Sequence, residues 1–255
     1  MNLNRFSLNG KVALITGGRR GIGKTIALAF AEAGADIAIC DIVIEDGELK
    51  NVAHEIEKFG RKVMIQKTDT SKKSEVENLV EEIIKKFGAI DILVNNAGII
   101  IRSPILKMAE HDWDRLFEID LKGYFLCAQA VGRRMVERRN GVIINIASQY
   151  AFKVSPEMGA YAVVKAGVVM LTRALAQELG PYRIRVNAIA PSMVRTEFSR
   201  PSWNDPENLK RIVASIPIGR VAETEDLVGA ALLLASDASQ YITGHTIVID
   251  GGILA

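Results

Sequence analysis

Residues 11–33 read KVALITGGRRGIGKTIALAFAEA, and three different patterns follow one another within them. Residues 11–16 form a short apolar run of the length expected for a buried strand. Gly17-Gly18-Arg19-Arg20-Gly21-Ile22-Gly23 follows, and residues 24–33 have a helical pattern. A strand that passes through glycines into a helix leaves free backbone N–H groups and the positive helix end facing one point, an arrangement suited to an anion. The spacing is Gly17, Gly21, Gly23, a GxxxGxG and not the commoner GxGxxG dinucleotide fingerprint. A second apolar run, residues 36–40, closes on Asp41. A carboxylate roughly twenty positions beyond a glycine loop is placed to bind adenosine ribose hydroxyls and to repel a 2′-phosphate.

The alternation continues outward from this unit. Residues 45–59 read as a helix, 63–66 as a strand leading to Asp69-Thr70, and 74–87 as an amphipathic helix with Val76, Leu79, Val80, Ile83 and Ile84 on one face. Residues 90–94 form a fourth strand that runs into Asn95-Asn96-Ala97-Gly98, small residues that let the backbone pass close to a ligand. One long helix is expected over 110–138, a strand over 142–147, a helix over 159–179 and a strand over 185–190 ending at Pro191. Residues 192–215 have weak periodicity and read as a loop with short helical pieces. A helix over 224–236 and a last strand over 246–249, ending in Asp250-Gly251-Gly252, complete the pattern. Strands alternating with helices of ten or more residues imply right-handed crossovers. The expectation is an α/β fold, a single doubly wound, mostly parallel sheet with helices on both faces, in one Rossmann-like domain over 1–255.

Composition narrows the function classes. The net charge is +2 with both signs scattered, so no basic stripe suggests nucleic acid and no polybasic tract a membrane surface. Cys40 and Cys127 are too few for a disulfide framework and lack metal-ligand spacing, which points to a reducing, cytoplasmic compartment. The opening MNLNRFSLNGK lacks an apolar signal region, and no apolar run approaches the roughly 18 residues of a membrane span. No metal site is expected, and His111 and His245 read as structural.

Proton chemistry is suggested by residues 148–165, SQYAFKVSPEMGAYAVVK. Tyr161 and Lys165 are four apart and share one helix face. An ammonium beside a phenol stabilises the phenolate, so Lys165 is expected to lower the Tyr161 pKa and make Tyr161 a general acid or base. Ser148, at the end of the preceding strand, would donate a hydrogen bond to a substrate oxygen. The carboxyl ends of the strands, where ligands bind in such sheets, also carry the glycine loop, Asp41, Asp69, Asn95 and Pro191.

In this order and spacing the glycine loop, Asp69, Asn95–Gly98, Ser148 with Tyr161-x-x-x-Lys165, residues 191–196 and Asp250-Gly251-Gly252 resemble the short-chain dehydrogenase/reductase family, over essentially the whole chain. The resemblance implies an NAD(P)-dependent oxidoreductase that moves a hydride between nicotinamide and a secondary alcohol or ketone. Tyr161 would transfer the hydroxyl proton, Ser148 orient the carbonyl oxygen, and Lys165 hold the nicotinamide ribose. Gly17, Arg20, Gly21, Ile22 and Gly23 would line the cofactor with Asp41, Asp69 and Thr70, and so would Asn95, Ala97 and Gly98 with Pro191, Val194 and Thr196. Asp120 stands where the family has an asparagine that holds a water against the lysine, and its charge is expected to oppose Lys165 at Tyr161. Ser192 replaces a common glycine.

Asp41, followed by Ile42-Val43-Ile44, favours NAD, whereas Arg19 and Arg20 would suit the 2′-phosphate of NADP. For the substrate, Arg102, Gln149, Met158 and the 195–203 segment are candidates. Arg102, Arg195 and Arg200 could each clamp a carboxylate. The 192–220 segment resembles members acting on gluconate-like sugar acids and polyols, with a 3-oxoacyl-thioester reductase as the alternative. A non-catalytic nicotinamide-cofactor sensor on the same fold would need neither Ser148, Tyr161 nor Lys165. The family resemblance also implies a homodimer or homotetramer.

Overall fold

A computed structural model describes residues 3–255; Met1 and Asn2, the start of the segment read as lacking a signal region, lie outside the described residues. Seven strands pair in parallel: β1 (Val12–Thr16), β2 (Asp36–Asp41), β3 (Val63–Lys67), β4 (Ile92–Asn95), β5 (Gly141–Ile146), β6 (Ile184–Pro191) and β7 (Thr246–Ile249). They form one sheet in the order β3-β2-β1-β4-β5-β6-β7. The order reverses between β1 and β4, which opens a crevice above the carboxyl ends of those strands.

Strand alternation divides the core into two layers. Ala13 and Ile15 of β1 face a cluster with α1 (Gly21–Glu32) and α2 (Glu48–Glu57), whose Ile26, Phe30, Leu49 and Ile56 are buried. Val12 and Leu14 face the other side, where Leu79 and Ile83 of α3 (Lys73–Phe87) are buried. Helices on both faces explain why the strands are continuous apolar runs without a polar side.

The long helix expected over 110–138 is divided. It consists of α4 (Glu110–Phe117), a π-helical turn over Glu118–Lys122, and α5 (Gly123–Arg138). Asp120 lies in this turn, buried, and its Oδ1 accepts from the Ile99 N–H at 2.7 Å. Gly123 allows the turn to lie close to Thr70, because a Cβ there would be 3.1 Å from Thr70 Oγ1.

Beyond it come α6 (Gly159–Leu179), α7 (Arg200–Trp203) and α8 (Pro206–Ala214), the last begun by Asp205, whose carboxylate accepts from Glu207 N at 3.1 Å. The expected 224–236 helix begins as a 3₁₀ turn, Thr224–Leu227, and becomes α9 (Val228–Ala235). The segment Gly159–Tyr182 is long and apolar enough to cross a bilayer by length and composition, which corrects the expectation that no such run exists. It is half buried inside the molecule, and its Val164, Val168 and Thr172 pack within the protein as a core helix.

Candidate active site

β1 ends at Thr16, and Gly17 turns the chain with φ +66°. A Cβ on Gly17 would be 2.9 Å from Ala97 Cα, and one on Gly23 would be 2.2 Å from Gly17 O, so neither position accepts a side chain. Arg20 at the N-cap of α1 makes no side-chain cap, which leaves the first-turn N–H groups unclaimed by side chains. This cradle of backbone and positive helix end fits the pyrophosphate of a dinucleotide. Thr16 Oγ1 accepts from Asn96 N at 3.0 Å and Ala97 N at 3.1 Å, and Asn96 Nδ2 donates back to Thr16 O at 2.9 Å and Gly17 O at 3.0 Å. The ends of β1 and β4 are thereby tied together.

One cleft of about 490 Å³ runs from this cradle across the strand ends. Gly17, Arg20, Gly21, Ile22, Asp41, Asp69, Thr70, Ala97 and Gly98 lie on its wall, as do Pro191, Val194 and Thr196. Ser148, Tyr161, Lys165 and Asp120 reach the same cleft, with Arg102, Gln149 and Met158. The structure does not bring two expected residues to it. Gly23 lies behind the loop, where it permits close packing on Gly17, and Asn95 points the other way, fully buried, with Nδ2 donating to Asn145 Oδ1 at 2.9 Å. Asn96 lines the cleft instead. Asn95 is the last residue of β4, so strand alternation turns these neighbours to opposite sides.

α6 begins beside the end of β5 and brings Tyr161 and Lys165 against Ser148. Ser148 Oγ accepts from Tyr150 N at 3.2 Å, and Ser148 lies close enough to Tyr161 to lower its pKa. The Tyr150 ring stands edge-on to Tyr161, with centroids 6.1 Å apart. Lys165 Nζ lies 5.5 Å from the Tyr161 ring centroid and 5.1 Å from that of Tyr124. It donates to Ile146 O at 3.2 Å and lies 3.0 Å from Asp120 Oδ2. Gly98 is needed beside Asp120, because a Cβ there would be 2.7 Å from Oδ2.

The Tyr161 pKa differs from the sequence-based expectation. Burial raises it, Lys165 and Ser148 lower it, Asp120 and Tyr150 raise it, and the net direction is upward. Lys165 has the expected sign but does not prevail. Its own pKa is raised: burial works against the ammonium, while Tyr124, Asp120 and Tyr161 favour it. Burial also raises Asp120, although Lys165 and the Ile99 N–H oppose this.

Of the three arginines considered for a carboxylate, only Arg102 lines the cleft, hydrogen-bonded to Ser202 Oγ. Arg195 pairs with Glu223 and Arg200 with Glu197, each at 3.1 Å. Arg115 and Met193 also line the cleft, and no local sequence signal marks either. Ser192 is accommodated without left-handed backbone and donates its N–H to Ile249 O at 2.9 Å. His111 and His245 lie off the cleft, and no cluster of three potential metal ligands occurs among the described residues.

Residues 17–254 match the profile described as enoyl-(acyl carrier protein) reductase. The chain is 41% identical over 256 residues to the 2-dehydro-3-deoxy-D-gluconate 5-dehydrogenase of Dickeya dadantii, covering 100% of both chains. It is 39% identical to a 3-oxoacyl-(acyl-carrier-protein) reductase of Thermotoga maritima, covering 97% of this chain and 99% of that one. A solved gluconate 5-dehydrogenase from Burkholderia cenocepacia, in complex with NADP and tartrate, superposes with a TM-score of 0.94 at 38% identity, covering 99% of this chain and 98% of that one. The chain belongs to the short-chain dehydrogenase/reductase family. As a member of that family it is an NAD(P)-dependent dehydrogenase acting on CH–OH groups. The all-parallel sheet of the family is the one described above.

Proposed function

We propose that this short-chain dehydrogenase/reductase oxidises a sugar acid or polyol with NAD, or reduces the corresponding ketone with NADH. The observation that carries the substrate class is that Arg102 and Gln149 both line the cleft. Gln149 is buried on the cleft wall with its Oε1 lacking a hydrogen-bond partner, and a turn of the amide would offer that oxygen to a substrate hydroxyl. Arg102 supplies a planar fork for a carboxylate. The similarity to a 2-dehydro-3-deoxy-D-gluconate 5-dehydrogenase supports the same class.

Bound nicotinamide supplies or takes up the hydride. Tyr161 transfers the hydroxyl proton, Ser148 directs a hydrogen bond at the substrate oxygen, and Lys165 acts electrostatically on Tyr161 and would hold the nicotinamide ribose. Asp120 holds Lys165. In the resting protein Tyr161 is protonated at neutral pH, ready to donate to an alkoxide forming from a ketone. Asp41 at the end of β2 supports NAD through ribose hydrogen bonds.

A second reading, a 3-oxoacyl-thioester reductase, is favoured by Ile99, Ile100, Met158, Met193 and Phe198, which also line the cleft and suit an acyl chain. The two are separated by assaying sugar acids, polyols and 3-oxoacyl thioesters with NAD and NADP by nicotinamide absorbance. Turnover confined to the thioesters would overturn the proposed class, and a preference for NADP would overturn the proposed cofactor.

We propose assembly as a homodimer or homotetramer, supported by the exposed apolar Phe125 of α5 and Val163 and Met170 of α6. Light scattering on the purified protein tests this, and a monomeric mass would overturn it. We also propose a cytoplasmic site of action, for which the free, buried Cys40 and Cys127 are the support.

A further inference from the structure

The cofactor preference depends on more than Asp41. The loop after β1 carries Arg19, whose side chain is only 11% exposed and is surrounded by carboxylates. Its Nε lies 3.5 Å from Asp41 Oδ1, and its Nη1 lies 2.8 Å from Glu48 Oε2 and is hydrogen-bonded to Asp46. Asp46 is fixed in turn, because its Oδ1 accepts from Glu48 N at 3.0 Å across Gly47, which has φ +78°. Arg19 and Asp41 line the cofactor cleft, whereas Asp46 and Glu48 do not.

We infer that Asp46 and Glu48 determine nucleotide specificity from outside the cofactor site, by holding Arg19 away from a 2′-phosphate. This rests on the proposed use of NAD. A guanidinium presents its donors in a rigid fork that serves carboxylates or a phosphate. Here one arm of the fork, Nη1, is held by Asp46 and Glu48, and Arg19 would have to give up those charge-assisted bonds to turn toward a phosphate. Glu48 starts α2, where the helix dipole stabilises its charge and keeps it in place. Asp41 alone excludes the phosphate directly; Asp46 and Glu48 withhold the cation that would otherwise compensate. Arg20, exposed on the same loop, is untouched by changes at either position.

The test is calorimetric binding of adenosine 2′,5′-bisphosphate and of 5′-AMP to the native protein and to the Asp46→Asn/Glu48→Gln variant. Hydrogen bonds to charged groups contribute about 1.5–3 kcal/mol. Release of Arg19 is therefore expected to tighten bisphosphate binding by roughly tenfold or more, with AMP changed by less than about twofold. Arg19→Ala in the same background is expected to remove the gain. An unchanged bisphosphate affinity in the double variant overturns the inference, and so does a gain that survives Arg19→Ala, which would be general charge relief. If the double variant loses AMP binding, each single variant carries the test, with a smaller gain expected and no gain overturning. A native protein that binds the bisphosphate more tightly than AMP overturns the NAD reading separately.

Discussion

Lys165 Nζ lies 3.0 Å from Asp120 Oδ2, with side-chain exposures of 4% and 1%. Two opposite charges are thus withdrawn from water together, and each has a second anchor. The other Asp120 oxygen accepts from Ile99 N, and Lys165 donates to Ile146 O, which also accepts from the Tyr124 hydroxyl at 3.1 Å. The π-helical turn at Glu118–Lys122 aims Asp120 inward at this point. Tyr161 therefore sees an ammonium whose field is partly cancelled by a carboxylate.

The first prediction concerns pH. Alcohol oxidation needs Tyr161 deprotonated, so its rate rises with pH through the Tyr161 pKa; ketone reduction needs it protonated and falls over the same range. Asp120 raises that pKa, as do burial and Tyr150, while Lys165 and Ser148 lower it. Replacing Asp120 with Asn removes one raising charge. Both limbs are expected at lower pH in Asp120→Asn than in the native protein, measured as kcat/KM against pH. Superimposable profiles would show that Asp120 has no electrostatic effect on Tyr161.

A second prediction follows from the same pair. Removing one partner of a buried ion pair strands the other charge, at a cost of about 3–5 kcal/mol. Lys165→Met is expected to lower stability by about this amount, and Asp120→Asn added to Lys165→Met to recover much of it. Denaturant unfolding of the single and double variants checks this coupling. Additive losses would mean that the two groups do not interact in the folded protein.

The order of strands and helices was readable because each buried strand is an apolar run and each crossover helix is amphipathic. Ser148, Tyr161 and Lys165 could be placed for the same reason, since they stand at the end of β5 and on one face of α6. The π turn was not readable, because apolar periodicity continues through Glu118–Lys122 and no proline or glycine pair interrupts it. Asn95 and Asn96 were confused because the sequence does not show where β4 ends. The surroundings of Arg19 and Arg102 depend on partners distant in the chain, Glu48 and Ser202, which no local pattern reveals.

Glycine positions give a third, paired prediction. A Cβ on Gly23 would meet the Gly17 carbonyl at 2.2 Å, backbone against backbone, so Gly23→Ala must displace the cofactor loop. Overpacking of this kind costs about 1–3 kcal/mol, and dinucleotide binding is expected to weaken with it. Gly180 has helical backbone and nothing within 4 Å of its Cβ position. Gly180→Ala is expected to leave binding unchanged and to stabilise the fold by about 0.4–1 kcal/mol. Thermal melts and nucleotide titrations of both variants decide it, and a Gly23→Ala protein with native affinity would refute the packing argument.

Arg102 provides the last prediction, which separates substrate charge from substrate shape. It lies in the cleft, whereas Arg195 and Arg200 are engaged by Glu223 and Glu197. If Arg102 binds a substrate carboxylate, its replacement should penalise acids and spare neutral polyols. A hydrogen bond to a charged group contributes about 1.5–3 kcal/mol, so Arg102→Gln is expected to reduce kcat/KM for sugar acids by roughly tenfold or more. The loss should appear mainly in KM, since the carboxylate is held alike in ground and transition states. The polyol values should change by less than about twofold. Ser202 tests the geometry independently: Ser202→Ala removes the hydrogen bond that orients Arg102 and is expected to cause a smaller loss of the same kind. Equal losses on acids and polyols would mean that Arg102 supports the cleft wall and does not select the substrate by charge.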